Sequence, residues 1–272
     1  MGALSAKIAF TTGCGSGIGR ATAIKIGAAG AKVLVTDINE QSAVAVAKEI
    51  TDAGGDAIAF RVDVREESHF AAATAFAAKR FGGVDLAFNN AANTGYEFTA
   101  QDAGVLSMDL DCWDQTFAAS LRGVMLACKH VIPEMLKRGG GAIVNTSSQA
   151  SITGHDALTA YSSAKAGINQ LTRQVATQFG YRNIRCNAVA PGLILTPATR
   201  ANFPKQALQE LTEDMLIPDF GTPEDIADIV LFLLSGNSRL ITGQVIGADG
   251  GAFYHAPRHG KGRAFTNTGG DR

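Results

Sequence analysis

The sequence predicts an α/β fold with a doubly wound, seven-stranded and mostly parallel sheet that is covered by helices on both faces. Short β-branched or apolar runs alternate with longer alanine-rich stretches along the 272 residues, which is the order of repeated strand–helix units. Runs such as Ile8–Phe10 and Val33–Val35 are apolar without alternation. This pattern is typical of strands whose two faces are both buried in a parallel sheet.

The predicted elements follow one another along most of the chain. The predicted strands are Ile8–Thr12, Val33–Thr36, Ala57–Val62, Leu86–Asn89, Ala142–Asn145, Ile184–Val189 and Gln244–Ala248. The stretches between them suit helices by length and composition. They are the stretch after the first strand, Gln41–Asp52, Glu66–Arg80, Asp114–Leu136, Ser162–Phe179 and Pro223–Leu234.

The organisation favours one domain over residues 1–251. No linker, composition shift or internal repeat interrupts the alternation before about residue 251. Residues 252–272 differ, because they are basic, glycine-rich and without periodicity. We expect an extended tail there, and packing on a neighbouring subunit is the alternative.

Composition excludes partners that are recognised by bulk positive charge. The chain carries 24 Lys and Arg against 25 Asp and Glu, and 46% of its residues are hydrophobic. We therefore expect no nucleic-acid partner and no membrane partner. The four cysteines are Cys14, Cys112, Cys128 and Cys186, and their wide spacing suggests neither a metal site nor a disulfide framework.

The start of the chain leaves no room for a signal peptide, since Met1 is followed within seven residues by the apolar run from Ile8. No apolar run approaches the roughly 18 residues of a membrane span. Together with free thiols, these features predict a cytoplasmic protein.

A glycine-rich turn joins the first predicted strand to the helix that follows. Glycine lets the backbone approach a pyrophosphate closely, and a helix N-terminus offers free N–H groups and the positive end of a dipole. A tight turn without a ligand is the alternative, but the strand–turn–helix context favours a Rossmann-type dinucleotide site. The residues expected at that site are Gly13, Ser16, Gly17, Ile18 and Gly19.

Asp37 closes the second predicted strand about 20 residues after the glycines. A carboxylate at this position accepts hydrogen bonds from the adenosine ribose hydroxyls and disfavours a 2′-phosphate. The cofactor predicted here is therefore NAD. Arg20 is the one nearby cation in the sequence, and we interpret it as a solvated helix residue.

Tyr161 and Lys165 are four residues apart, so both side chains point from one face of a helix. An ammonium near a phenol is expected to lower the tyrosine pKa from about 10 towards neutral pH. A surface pair is the alternative. Ser148 favours the catalytic interpretation, because it follows an apolar strand, and strand carboxyl ends face the ligand crevice in such sheets.

These motifs occur together in one order, and together they are specific. The chain has Thr12–Gly19, Asp63-Val64, Asn89-Asn90-Ala91, Ser148, Tyr161-x-x-x-Lys165 and Pro191-Gly192. In this it resembles the short-chain dehydrogenase/reductase family over about residues 5–251. The resemblance implies an oxidoreductase that transfers a hydride between a nicotinamide cofactor and an alcohol or ketone.

The resemblance also implies residue roles. Tyr161 exchanges a proton with the substrate oxygen, Ser148 hydrogen-bonds that oxygen, and Lys165 lowers the tyrosine pKa and holds the nicotinamide ribose. Further cofactor contacts are implied for Asp63, Val64, Asn90, Pro191, Ile194 and Thr196.

Three positions depart from the family pattern. Ser120 stands where a catalytic Asn with a water relay is usual, and we expect a reduced or rearranged relay because serine is shorter. Ala92 replaces a glycine and is expected to crowd the loop near the nicotinamide. Cys14 lies in the phosphate turn, where we interpret it as a space-filling thiol, with redox sensitivity as the alternative.

Two further segments bear on substrate and assembly. Residues 193–222 contain Leu195, Phe203, Leu211, Met215, Leu216 and Phe220, which predicts an apolar substrate lid, with a loop packed on the core as the alternative. Gln149, His155 and Asp156 could contact the substrate, although for His155 we favour a solvated loop residue. The segment Ile226–Leu234 is apolar around nearly its whole circumference, which predicts a second partner surface, with cover by the chain's own tail as the alternative. The resemblance implies that this surface is a subunit contact of a homo-oligomer, either a dimer or a tetramer.

The sequence thus predicts an NAD-dependent dehydrogenase of secondary alcohols or ketones. Two alternatives stay open: an NADPH-dependent ketone reductase of the 3-oxoacyl type, against which Asp37 argues, and a dinucleotide-binding sensor or scaffold with weak catalysis, which Ser120 and Ala92 motivate.

Overall fold

Seven parallel strands form one sheet in a computed structural model that describes residues 2–93, 99–196 and 215–252, with the isolated residues 199, 206, 208 and 212. The strands are β1 (Ile8–Thr12), β2 (Lys32–Asp37), β3 (Asp56–Arg61), β4 (Leu86–Asn89), β5 (Gly141–Thr146), β6 (Ile184–Pro191) and β7 (Val245–Ala248). Their order is β3-β2-β1-β4-β5-β6-β7, and every neighbouring pair is parallel. The predicted fold class is confirmed.

Helices cover both faces of this sheet. They are α1 (Gly17–Ala28), α2 (Glu40–Asp52), α3 (Glu67–Phe81), α4 (Leu110–Phe117), α5 (Gly123–Lys137), α6 (Thr159–Phe179) and α7 (Pro223–Leu234). Side chains from α3, α5 and α6 pack on one face, and those from α1, α2 and α7 pack on the other. Among the described residues no helix has the length and apolar character needed to cross a membrane.

The alternation within β1 shows how two cores are built. Ile8 and Phe10 belong to the cluster on one face, whereas Ala9 belongs to the cluster on the other. All five residues of β1 are buried, as the unbroken apolar run predicted. β1 therefore contributes to both cores, and its burial fixes the position of the glycine turn that follows Thr12.

The sheet topology also fixes where a ligand is expected. The chain leaves β1 towards β2 on one side, while β4 pairs with β1 on the other side. This reversal of strand order creates a crevice beyond the carboxyl ends of β1 and β4. The glycine turn after Thr12 and the segment after Asn89 both lie there.

One predicted helix differs from the structure. Asp114–Leu136 was expected to be continuous, but α4 begins at Leu110, where Asp109 caps it by accepting from the Cys112 N–H. A five-residue π-helical turn, Ala118–Arg122, then separates α4 from α5. Such π turns arise where a helix accommodates an extra residue, often at functional sites. Ser120 lies in this turn.

Part of two predicted segments lies outside the described residues. These are most of the C-terminal tail, from residue 253 onward, and Phe203 and Leu211 in the predicted lid. The described end of this predicted lid contacts the turn after β7, because the N–H groups of Leu216 and Ile217 donate to the carbonyl of Gly250 at 3.0 and 2.9 Å.

Candidate active site

A cavity of about 1420 Å³ lies at the carboxyl ends of the strands. It gathers residues that are distant in sequence, and Gly19 and Ser120 are the predicted site residues that lie outside its lining. The predicted residues that line it are Gly13, Ser16, Gly17, Ile18, Asp37, Asp63, Val64, Asn90, Ser148, Tyr161, Lys165, Pro191, Ile194 and Thr196.

The glycine turn has the backbone geometry of an anion site. Gly13 and Gly17 adopt φ values of +63° and +52°, which residues with a side chain rarely adopt. The first turn of α1 begins at Gly17, and within the described residues Ser16 makes no side-chain capping bond to it. The N–H groups of that turn therefore remain available to a phosphate.

Gly19 is needed for a different reason, although it does not line the cavity. A Cβ atom at this position would overlap the carbonyl oxygen of Gly13 and lie 2.8 Å from Asn90 Nδ2. The Asn90 amide donates to that same carbonyl at 2.9 Å and accepts from Thr146 Oγ1 at 3.2 Å. Asn90 thus ties the phosphate turn to the end of β5.

Asp37 is held in place by main-chain donors. Its carboxylate accepts from the Gly15 N–H at 2.8 Å and from the Asn39 N–H at 2.9 Å. The Arg20 guanidinium pairs with Glu49 on the exposed side of α1 and α2. This pair leaves the Arg20 side chain partly exposed, as expected for a solvated helix residue, but Arg20 also lines the cavity that contains Asp37.

Asp63 has a partner that sequence reasoning missed. Arg65 donates to both of its carboxylate oxygens, at 2.9 and 2.6 Å, and reaches Gln115 Oε1 at 3.1 Å. Hydrogen bonding to Arg65 lowers the pKa of the Asp63 carboxyl. Arg65 and Gln115 line the same cavity. Because these two residues are far apart in sequence, the sequence gave no indication that they meet there.

The predicted catalytic residues come together in the cavity. Ser148 and Tyr161 line the cavity side by side, and the Ser148 side chain acts to lower the pKa of the Tyr161 phenol. Lys165 is 2% exposed, and its Nζ donates to the Thr146 carbonyl at 2.7 Å and lies 5.5 Å from the centroid of the Tyr161 ring. The serine and tyrosine oxygens can therefore contact one substrate oxygen, with a buried amine behind the phenol.

The electrostatics of Tyr161 differ from the expectation. Burial raises the pKa of the phenol, and the hydrogen bond from Ser148 opposes this rise. Burial lowers the pKa of Lys165 to about 8. Desolvation disfavours the charged form of both groups, so it outweighs the predicted effect of Lys165 on the tyrosine.

The three departures from the family pattern are accommodated by the fold. Ser120 is 1% exposed within its π turn. Ala92 lines the cavity and has no positive φ, so its backbone conformation does not require glycine, and crowding of a nicotinamide by its methyl group stays a prediction. Burial raises the pKa of Cys14 to about 12, which favours the space-filling interpretation over redox sensitivity.

Several residues near Ser148 have roles that the sequence did not indicate. Ser147 donates to Asn169 Oδ1 at 2.6 Å, and Ser151 donates to the Ser148 carbonyl at 2.6 Å. These bonds hold the turn that presents Ser148. Gln149 is buried, His155 and Asp156 are exposed, and none of the three lines the cavity. No group of three metal-ligating side chains occurs within the described residues.

Comparison with known proteins agrees with this architecture. A family described as "Enoyl-(Acyl carrier protein) reductase" matches residues 13–253. A probable short-chain type dehydrogenase/reductase of Bradyrhizobium diazoefficiens is 44% identical, covering 96% of this chain and 92% of the relative. A 7alpha-hydroxysteroid dehydrogenase of Bacteroides fragilis is 37% identical, covering 92% and 96%.

The fold is also similar to a solved enzyme structure. A 7 alpha-hydroxysteroid dehydrogenase complexed with NADH and 7-oxo glycochenodeoxycholic acid superposes with a TM-score of 0.86 at 35% identity, covering 91% of this chain and 94% of that one. The relatives are named as dehydrogenases or reductases, and the solved hydroxysteroid dehydrogenase is in complex with NADH. The chain is therefore an oxidoreductase and belongs to the short-chain dehydrogenase/reductase family.

Proposed function

We propose that this protein is an NAD-dependent dehydrogenase of a secondary alcohol, or a reductase of the corresponding ketone, with Tyr161 as the acid/base. The observation that carries the proposal is the convergence of Ser148, Tyr161 and Lys165 on the cavity that also contains Asp37. One cavity thus joins an acid/base group to a ribose-binding carboxylate.

The proton chemistry follows from the three side chains. In the oxidative direction Tyr161 accepts the proton of the alcohol, and in the reductive direction it donates a proton to the carbonyl oxygen. Ser148 hydrogen-bonds the same oxygen and so fixes the reacting carbon. Because its pKa is about 8, Lys165 is mostly protonated at neutral pH and stabilises the phenolate when it forms.

The residues present fit a dinucleotide. The positive φ values of Gly13 and Gly17 leave room for a pyrophosphate at the start of α1, and Asp37 suits a ribose with two free hydroxyls. A bound nicotinamide supplies or accepts the hydride. Asp63, Val64, Asn90, Pro191, Ile194 and Thr196 are the other proposed cofactor contacts, with Lys165 beside the nicotinamide ribose.

NAD is favoured over NADP by charge. A 2′-phosphate would place negative charge against the Asp37 carboxylate, and the two arginines that line the cavity, Arg20 and Arg65, are paired with Glu49 and Asp63. An NADPH-dependent ketone reductase is therefore the weaker alternative. A sensor without turnover is also weaker, since Ser148, Tyr161 and Lys165 are all assembled and Ala92 is unstrained.

The proposed organisation places the dinucleotide site and the catalytic residues in one unit over residues 1–251, with a substrate lid at 193–222. The described part of this lid supports the assignment, because Leu193, Leu195 and Thr199 line the cavity and Met215 is buried. An apolar alcohol or ketone suits such a wall.

Assembly and location are also proposed. Phe232 is exposed on the apolar helix α7, which supports a homo-oligomer, either a dimer or a tetramer. The four cysteines are buried and unpaired, which suits a reducing compartment such as the cytoplasm.

The test begins with titration of the purified protein by NADH and by NADPH, followed through nicotinamide fluorescence. We expect tighter binding of NADH, and we expect Asp37→Ala to reduce the preference by about tenfold or more, because a charged hydrogen bond contributes about 1.5–3 kcal/mol. Equal affinities in both proteins would contradict the ribose argument.

Turnover is then screened with secondary alcohols and the preferred oxidised cofactor. Tyr161→Phe keeps the aromatic ring but removes the hydroxyl group that exchanges the proton. We therefore expect intact NADH affinity with a loss of turnover of about 100-fold or more. Retained turnover in Tyr161→Phe would remove Tyr161 from the mechanism.

A further inference from the structure

Helix α6, which carries Tyr161 and Lys165, begins without a capping side chain of its own. Its N-cap residue is Leu158, which has no polar side-chain atom, and its first turn contains no acidic residue. The first N–H groups of a helix have no partner within that helix and are costly to bury unpaired. The start of α6 therefore needs an acceptor from elsewhere in the chain.

Asp102 supplies that acceptor. Its carboxylate accepts from the Ala160 N–H at 2.9 Å and from the Tyr161 N–H at 2.8 Å, the latter across 59 residues of sequence. The side chain is in the interior, with 3% of the residue exposed. A buried carboxylate at this place also lies at the positive end of the helix dipole.

The main chain around Asp102 reinforces the same contact. The Asp102 carbonyl accepts from the Leu158 N–H at 2.8 Å, and the Ala103 carbonyl accepts from Thr159 Oγ1 at 2.7 Å. Leu158 adopts a φ of +61°, a left-handed conformation that is unfavourable for leucine. Such a conformation persists where the surroundings determine it from several sides.

We infer that Asp102 is a positioning residue for proton transfer, because it fixes the start of α6 and with it the Tyr161 phenol. This inference rests on the function proposed above for Tyr161. The same segment reaches the cavity, since the Asp102 N–H donates to the carbonyl of Thr99 at 3.2 Å and Thr99 lines the cavity wall. Asp102 thus links the cavity wall to the catalytic helix.

The test compares Asp102→Asn and Asp102→Ala with a matched control at Asp85. Asp85 is equally buried, at 4% exposed, and also accepts from a main-chain donor, the Ile8 N–H, at 2.9 Å. It lies at the amino ends of the strands, away from Tyr161. Asp85 also pairs with Arg138, whose Nε lies 2.7 Å from Asp85 Oδ1, so Asp85→Asn gives an upper limit for the general cost of neutralising a buried carboxylate. Asp102→Asn is nearly isosteric and serves where Asp102→Ala does not fold.

Two readouts separate positioning from general stability. For the Asp102 variants we expect kcat to fall by about 100-fold, because small displacements of a reacting group have effects of this size, while NADH affinity changes less than about threefold. Amide hydrogen exchange should also accelerate at the start of α6. In Asp85→Asn we expect a lower thermal midpoint with unchanged kcat and unchanged exchange at the start of α6.

The outcomes also distinguish this inference from the proposed function. Wild-type kcat in folded Asp102 variants, alongside an inactive Tyr161→Phe, would overturn the positioning role alone. Unchanged exchange at the start of α6 would overturn it even without an identified substrate. Full turnover in Tyr161→Phe would instead overturn the proposed function, whatever the Asp102 variants do.

Discussion

The proposed nucleotide region, residues 12–39, relies on main-chain atoms, whereas the proposed catalytic region, formed by Ser148, Tyr161 and Lys165, relies on side chains. In the nucleotide region main-chain atoms form most of the site. Its glycines have positive φ, the first turn of α1 has free N–H groups, and two backbone N–H groups hold the Asp37 carboxylate. In the proposed catalytic region side chains supply the functional groups: Ser148 and Tyr161 are half-buried, and Lys165 is buried with the Thr146 carbonyl as its partner.

This difference predicts how each region responds to substitution. A site built from main-chain atoms is sensitive to volume, because any added atom displaces the backbone itself. A site built from buried ionisable side chains is sensitive to pH, because desolvation shifts the pKa values of its groups. Substitutions in each region therefore test whether the distinction between steric and electrostatic control holds.

The largest effect is expected in the nucleotide region for Gly19→Ala. The new Cβ would overlap the Gly13 carbonyl and press on the Asn90 amide that binds it. Overpacking of this kind costs up to about 3 kcal/mol, so NADH affinity should fall by about 100-fold.

The matched control is Gly180→Ala. Gly180 has ordinary helical φ and ψ angles, and no described atom lies within 4 Å of the Cβ it would gain. We expect unchanged NADH affinity there, measured by the same fluorescence titration. Normal affinity in Gly19→Ala would show that the turn tolerates added volume and would end the steric part of the comparison.

A smaller effect, and one that depends on pH, is expected in the catalytic region. The folded pKa of Lys165 is about 8 against an ordinary value of 10.5, so between these values the unfolded chain binds more protons than the folded chain. Stability then rises with pH in this window. Relative to Lys165→Met, the wild-type free energy of unfolding should increase by about 2 kcal/mol from about pH 7 to about pH 9.5.

Denaturant unfolding without cofactor at both pH values measures this difference, and Lys79→Met provides the control because Lys79 is exposed on α3. The difference between wild type and Lys79→Met should not vary with pH. If the Lys165→Met difference is equally flat, Lys165 is not desolvated in solution and the electrostatic part of the comparison fails.

The two regions also differ in how far the sequence predicted them. The glycine turn and Asp37 belong to one strand–helix–strand unit, so their spacing alone indicated their arrangement, and the parallel sheet followed from the apolar runs. Asp102 gave no such signal, because its partner Tyr161 lies 59 residues away and no periodicity connects them. The raised pKa of Tyr161 was also beyond sequence reasoning, since it depends on burial created by tertiary packing.

The π turn that contains Ser120 shows the same limit. A periodic pattern over Asp114–Leu136 predicts a helix, but it does not show where the helix accommodates an extra residue. The structure places Ser120 within that turn and buries it. Whether the serine there weakens catalysis is the remaining test of the catalytic region.

The smallest effect is expected for Ser120→Asn, which restores the residue usual in the family. Serine both donates and accepts hydrogen bonds, so a water can already bridge what the shorter side chain leaves open. We therefore expect kcat to be preserved or to rise by no more than about tenfold, with Ser120→Ala lower than either because it lacks the hydroxyl. Steady-state kcat of the wild type, Ser120→Asn and Ser120→Ala measures this order of activities, provided that the three proteins bind NADH equally well. A large loss in Ser120→Asn would mean that the buried π turn is packed around serine, and steric control would then extend from the nucleotide region into the catalytic region.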